Sequence, residues 1–317
     1  MPLSATASAP ASIGNVGVGF DILGLAFPAA HDVVTATRQE ARGVRLAQVS
    51  GLLTHLPAEP HRNTALAAAQ AVLQAAGSPF GVSLAIDKGV PLSAGMGGSA
   101  ASAVAAAAAA NALLDRPFTT DELLPFAIEG ERASSDPPPW DNVIASLFGG
   151  LVLAASEQPP LIRRLPVPDG LVAILFHPSA RIETREARAL LGATVPLRVA
   201  VEHSRRVAAF VAGCATGDLA LVKAGLEDLL VEPQRVHLLP CLPAVQRAAV
   251  EAGALGCSFS GSGPSVFALS EQRLAGRVEQ AMGAAFAEAA MPVTRYRAPL
   301  GGHGVKVVAQ DSGRVAA

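Results

Sequence analysis

The chain is poor in charge of either sign, in aromatic rings and in cysteine. Only 16% of its 317 residues are charged, 24 basic against 26 acidic, and no run of like charges makes a footprint for nucleic acid or an anionic membrane. The expected partner is therefore a small molecule, with no nucleic acid and no membrane. Three cysteines, Cys214, Cys241 and Cys257, are too few and too scattered for a disulfide framework, and no two stand at metal-ligand spacing. A reducing cytoplasm fits them best. No Lys or Arg precedes Arg38, so the basic start of a signal peptide is missing. The one long weakly polar stretch, residues 99–114, is mostly alanine and falls short of the ~20 strongly apolar residues of a membrane span. It reads as a buried helix.

What is present is a chain half apolar in composition and long enough for two domains. Gly14, Gly17, Gly19 and Gly24 punctuate the first thirty residues as strand, glycine-rich loop and strand, and residues 32–37 and 44–49 read as further strands. A helix over 65–76, capped by Asn63 or Thr64, stops at Gly77. Residues 82–86 alternate as a strand. A helix capped near Thr119 or Thr120 follows the alanine-rich one, and then residues 134–142, with three consecutive prolines, read as a stiff extended loop. Residues 151–155 form a strand, and the proline- and turn-rich 159–170 mark a domain boundary. Beyond it come a strand at 171–176, helices near 185–191, 196–214, 218–230 and 242–254, strands at 256–260 and 265–269, a helix at 277–290 and a strand at 293–298. This mixture predicts an α+β class with helices laid on largely antiparallel sheets. The expected units are an N-terminal domain over 1–165, a C-terminal domain over 166–305 and a frayed tail over 306–317.

The richest segment is Pro91, Leu92, Ser93, Ala94, Gly95, Met96, Gly97, Gly98, Ser99, Ala100 and Ala101, running straight into the alanine helix. Glycines let backbone N–H groups crowd an anion, and a helix of the best helix former points its positive end at it. The segment reads as a phosphate cradle. It is not a P-loop, because Gly98 is followed by Ser99 and Ala100 rather than Lys. It also matches G-x-G-x-x-A, with Asp115 twenty positions on, but Asp115 closes a helix instead of ending a second strand, which excludes a dinucleotide fold.

The remaining pattern, P-x-x-x-G-x-G-x-S-A-A before a long helix, resembles the phosphate loop of the GHMP kinases. Pro10-Ala11-Ser12-Ile13-Gly14-Asn15-Val16-Gly17-Val18-Gly19-Phe20-Asp21 resembles the start of the homoserine kinases in that family. So do Glu129-Gly130-Glu131, Asp141-Asn142-Val143 with Phe148-Gly149-Gly150, Thr184-Arg185-Glu186-Ala187-Arg188, Glu232-Pro233-Gln234-Arg235 and Ser260-Gly261-Ser262-Gly263-Pro264-Ser265, in the family's order. The resemblance implies a two-domain GHMP kinase fold, with an N-terminal domain like domain 2 of ribosomal protein S5 and a C-terminal ferredoxin-like α+β domain. It implies ATP-dependent phosphorylation of the L-homoserine hydroxyl, a step of threonine biosynthesis, with Mg2+, and it allows a homodimer.

By the same resemblance, residues 91–101 hold the polyphosphate of ATP, Ser99 and Glu131 hold Mg2+, and Asn63 and Thr64 lie where relatives contact the base. Arg188 and Arg235 clamp the substrate carboxylate, a role suited to the planar guanidinium fork. Asn15 and Asp21 meet the ammonium and hydroxyl end, and Thr184 and Gly261 also border the substrate. Asp141 and Asn142 both stand where the acceptor hydroxyl is handled, with Asn142 favoured as the positioning group. Two departures stand out: Gly97-Gly98-Ser99-Ala100 replaces the usual G-S-S-A, and Pro139-Trp140-Asp141-Asn142 replaces H-A-D-N. The second leaves two alternatives open, a GHMP kinase for another small alcohol with Trp140 lining an altered pocket, or a silent nucleotide-binding relative.

Overall fold

The computed structural model of the chain describes residues 2–78 and 80–311. Strands β1 (Ser4–Gly14), β2 (Leu23–Gln39) and β3 (Val44–Gly51) lead to helix α1 (Thr64–Ala75) and β4 (Gly81–Lys88). Helices α2 (Gly98–Asn111), α3 (Thr120–Glu131) and α4 (Trp140–Phe148) follow, then β5 (Leu151–Glu157) and β6 (Pro160–Leu165). The second half runs β7 (Leu171–Pro178), α5 (Thr184–Ala189), α6 (Leu197–Thr216), α7 (Leu219–Gly225), α8 (Glu232–Arg235), α9 (Leu242–Glu251), β8 (Gly256–Phe259), β9 (Val266–Glu271), α10 (Ala275–Glu288), β10 (Val293–Pro299) and β11 (Lys306–Asp311).

Two sheets result. The first has seven strands along the path β11-β1-β2-β4-β3, with β5 paired to β2 and β6 to β5, and only β3 and β4 run parallel. The second has four antiparallel strands in the order β10-β7-β9-β8. The second strand read within the first thirty residues and the one read at 32–37 form one continuous β2. It stays in register with β1 by a shift opposite Pro10 and Ala11, near Pro28, which cannot donate to a ladder.

Side-chain size decides the packing. Strand β1 turns Ala5, Ala7 and Ala9 to one face by its period of two, and with Val34, Val82, Leu84 and Ile86 they form a floor for α1 to α4. Helix α2 lies in the middle of that layer with 13 of its 14 residues buried. It touches neighbours all round, so small side chains are needed to let three helices and a sheet approach. In the second sheet both faces are covered: Val172, Ile174 and Phe176 of β7 meet α9 and α10, while Ala173 and Leu175 face a core shared with the first sheet. A strand buried on both sides reads as the continuous apolar run seen at 171–176.

Four expectations need correction. Residues 134–139 are loop, but Trp140, Asp141 and Asn142 form the first turn of α4, because Pro139 sits at the cap, where a missing N–H costs nothing. Residues 159–165 are not all turn: Pro159 lies in the β5–β6 connection and Pro160 opens β6, a position proline tolerates. The helix foreseen over 218–230 stops at Gly225, after which Asp228 accepts N–H bonds from Leu230, Val231 and Glu232 and starts the unforeseen α8. Within the expected tail, residues 306–311 form β11, paired to β1 from Ser4–Asp311 to Ser8–Lys306, and residues 312–317 lie outside the described residues.

Because Ala105 is fully buried among the neighbouring helices and the sheet, Ala105→Leu is expected to cost about 1–3 kcal/mol of stability in denaturant unfolding. The same change at exposed Ala208 on α6 should stay within about 0.5 kcal/mol.

Candidate active site

The glycine segment bridges β4 and α2. Gly97 caps α2 in the left-handed region at φ 65°, and Gly95 sits at φ 71°. A Cβ on Gly97 would overlap the Ser12 hydroxyl, and one on Gly95 the Ser260 carbonyl. The loop's carbonyls are tied into the protein: Ser12 N–H donates to Met96 O at 3.0 Å, Ser260 Oγ to Gly95 O at 2.6 Å and Ser265 N–H to Ala94 O at 3.2 Å. Ala94, Met96, Ala100 and Ala101 are buried anchors, whereas Leu92 is exposed. The first-turn amides from Gly98 to Ala100 have no acceptor within their own helix and carry its positive end.

Beneath this bend lies a group that the sequence pattern did not single out. Lys88 and Asp32 form a fully buried ion pair, and Lys88 Nζ also donates to Gly98 O and Ser102 Oγ, each at 2.9 Å. Asp32 accepts from the N–H groups of Gly89 and Val90 at 3.1 and 3.0 Å and from Ser102 Oγ at 2.6 Å. Both ends of the loop are thereby fastened to one charge pair. In the sequence Lys88 stands just before the glycines, on the wrong side for a P-loop.

At the start of α2, Ser99 Oγ donates to Glu131 Oε2 at 3.1 Å across from the end of α3. The Glu131 carboxyl is buried, and its Oε1 has no hydrogen-bond partner. Burial pushes it up to about 7, against the opposing effects of Ser99, Ser134 and Lys88.

A third corner is built by α4 and the β1–β2 loop. Asp141 Oδ2 accepts the Asn15 N–H at 2.9 Å, and Oδ1 accepts Asn142 N–H at 2.9 Å and Nδ2 at 3.0 Å. Burial, with Asp21 nearby, raises Asp141 to about 6. Ser12 Oγ donates to Asn142 Oδ1 at 2.9 Å. Asn15, Val16 and Asp21 all hold positive φ, at 65°, 46° and 60°. Such backbone costs roughly 1–3 kcal/mol per residue and gathers where a site over-determines it.

The opposite wall comes from the second half. Arg188 on α5 binds Asp21 through two bonds of 2.8 and 2.7 Å, and Arg235 on α8 donates from Nε to Ala187 O at 2.9 Å. Both guanidinium groups flank the Phe20 ring, at 5.4 and 5.3 Å. Burial, with Arg188 adding repulsion, lowers Arg235 to about 10, so it stays charged at neutral pH. Among the described residues it has no ion-pair partner. Asn15 Nδ2 donates to Gly261 O at 3.0 Å, and Thr184 and Ser262 hydroxyls meet at 3.3 Å across the mouth.

Asn15, Asp21, Ser93, Ala94, Gly95, Gly97, Gly98, Asp141, Asn142, Thr184, Arg188, Arg235 and Gly261 thus line one cleft open to solvent. Asn63, Ser99 and Glu131 are not among its lining residues. Asn63 caps α1, accepting from Ala65 and Leu66 N–H groups and donating one Nδ2 proton to Pro57 O at 2.8 Å. Thr64 likewise donates to Ser99 O at 3.0 Å.

Residues 63–150 match the GHMP kinases N terminal domain, and residues 209–288 match GHMP kinases C terminal. The homoserine kinase of Xanthomonas campestris pv. campestris is 44% identical over 306 residues, which are 96% of this chain and 94% of that one. That of Xylella fastidiosa is 42% identical over 305 residues, with the same coverage. The crystal structure of homoserine kinase from Cytophaga hutchinsonii matches with a TM-score of 0.93 at 38% identity, over 97% of this chain and 98% of that one. The chain belongs to the homoserine kinases of the GHMP kinase family.

Its α+β arrangement is accordingly the two-domain GHMP kinase fold. In this homoserine kinase family member the unusual Pro139-Trp140 pair divides its duties. Pro139 borders the cleft, whereas Trp140 packs on the helical core of the first sheet and is no wall of an altered pocket. Among the described residues no helix is long and apolar enough to cross a membrane.

Glu131 supplies a test in metal-free buffer. Its folded value of about 7 lies above the usual 4.5, so folding favours the protonated form, and its contribution is full below 4.5 and lost as pH rises through 7. Glu131→Gln should therefore gain stability relative to wild type between pH 5 and 8, by on the order of 3 kcal/mol in denaturant unfolding.

Proposed function

We propose that the chain transfers the γ-phosphoryl group of ATP to the side-chain hydroxyl of L-homoserine, giving O-phospho-L-homoserine and ADP for threonine biosynthesis, in the cytoplasm. One observation carries the choice of acceptor: Arg235 is a buried, charged guanidinium in the cleft, without a carboxylate partner among the described residues. A zwitterionic amino acid supplies that carboxylate and carries an ammonium for Asp21. Mevalonate has no ammonium, and galactose has neither charge.

The residues fit a nucleotide and its metal. The amides of Gly98 to Ala100 receive polyphosphate oxygens without displacing any bond of their own helix. The unpartnered Oε1 of Glu131, beside the Ser99 hydroxyl, is an oxygen pair suited to a hard divalent cation. Mg2+ held there would neutralise charge on the polyphosphate, and with it the buried Glu131 carboxyl would be held ionised.

Transfer then depends on placement. Arg235, held by Ala187 O, fixes the carboxylate, and Arg188 shares it as the ammonium takes over part of its bond with Asp21. Phe20 fills the space between the two cations. Asn142 holds the acceptor hydroxyl toward the amide bend, and Asp141 keeps Asn142 and the Asn15 backbone in place. Thr184 and Ser262 close the mouth over the bound amino acid, which excludes water as a competing acceptor.

Incubation with Mg-ATP and L-homoserine, mevalonate or galactose should release ADP with homoserine alone. Turnover with another alcohol would favour the broader GHMP kinase reading, and tight ATP binding with no turnover a silent relative. Asn142→Ala should lower kcat by about 10²-fold, and Asp141→Asn by about 10-fold, because it weakens only the support. Wild-type turnover in both variants would refute these roles. Mg2+ alone should raise the unfolding midpoint of wild type at pH 8 and leave that of Glu131→Gln unchanged.

A further inference from the structure

Ser12 stands where the phosphate bend and the acceptor corner meet, yet it touches neither expected ligand. It is fully buried on β1. Its N–H donates to Met96 O at 3.0 Å, its hydroxyl donates to Asn142 Oδ1 at 2.9 Å, and a Cβ added to Gly97 would run into that hydroxyl. One residue therefore contacts the cap of α2 on one side and the Asn142 amide on the other.

The Asn142 amide can face two ways, and its neighbours choose one. The ionised Asp141 carboxylate only accepts, so Nδ2 must turn toward it, at 3.0 Å. The carbonyl Oδ1 then points to Ser12, which spends its single proton on it. Two bonds from opposite sides leave the amide no freedom to rotate. They also leave Oδ1 one lone pair for the proton of an acceptor hydroxyl. Gly97 is obligatory for the same arrangement, because any side chain there would push the Ser12 hydroxyl off Asn142.

We propose that Ser12 is a positioning residue for phosphoryl transfer: it locks the Asn142 carbonyl toward the acceptor hydroxyl and ties that lock to the loop that holds the polyphosphate. This rests on Asn142 meeting the hydroxyl as described above. Loss of the bond lets the amide swing while both ligands still bind, so the effect falls on kcat. A brace for the loop would instead act on ATP binding.

The test compares kcat and both KM values in wild type, Ser12→Ala, Ser12→Cys, Asn142→Ala and the Ser12→Ala/Asn142→Ala double variant. Ser12→Ala should lower kcat about 10-fold with both KM values within about twofold, as expected for one lost orienting bond. Ser12→Cys keeps a side chain of similar size but donates weakly, and should move kcat the same way. In the Asn142→Ala background, Ser12→Ala should change nothing further, since no amide remains to orient. Equal losses in both backgrounds, a raised KM for ATP at unchanged kcat, or turnover indifferent to both Ser12 replacements would each overturn the assignment. Absence of homoserine-dependent ADP release by wild type would instead refute the functional reading on which it rests.

Discussion

The first turn of α2 presents backbone N–H groups that its own helix cannot satisfy, and their direction is set by what happens to the neighbouring carbonyls. Met96, Gly95 and Ala94 each give their oxygen to a donor from β1 or from the second half of the chain, and Gly98 gives its oxygen to Lys88. With the carbonyls turned inward, the amides face the cleft. The Lys88–Asp32 pair under this bend is buried on every side. Such a pair contributes little net stability over an apolar filling, but losing one partner would strand a charge in the core. Its use here is geometric, since Asp32 binds the strand end before the loop and Lys88 the helix start after it.

Every other part of the cleft is measured from that bend. Strand β1 reaches it through Ser12 and continues into Asn15, whose strained backbone is held by Asp141. Helix α4 sits so close to β2 that a Cβ on Gly24 would overlap the Asp141 carbonyl. The second half of the chain enters through Ser260, Gly261 and Ser265, which bond the loop and β1 directly. Behind them, Ala94, Met96 and Ala101 are set in one apolar core with Ala173, Leu175, Phe267 and Phe210.

Much of this was legible in the residues. Glycine followed by alanine announces a bend and a helix whatever the surroundings, since both act through backbone sterics and propensity. Local bonding likewise made Thr119 a cap with Glu122 as its reciprocal partner. The prolines before Trp140 hid a helix start, because proline, disfavoured within helices, is readily accepted at their caps. Asn63 stands where relatives contact the base and also where a helix cap falls, and its side-chain oxygen makes the two cap bonds of α1. Strand β11 has no strong pattern of its own, all its residues being exposed, and exists by virtue of the β1 edge beside it.

Composition, punctuation and the order of short motifs were enough to show the fold class, the glycine bend before a buried alanine helix and most of the polar residues that gather around it. These are local properties, written in side-chain size, backbone freedom and helix capping. Contacts between residues far apart in the chain were beyond that reach. The pairing of Lys88 with Asp32, of Ser12 with Asn142 and of Asp21 with Arg188 spans 56 to 167 positions, and separation along a chain carries no information about distance in space. Packing of two sheets on one core brought those groups together, and with them came the burial that moves Glu131 and Asp141 away from ordinary carboxyl behaviour.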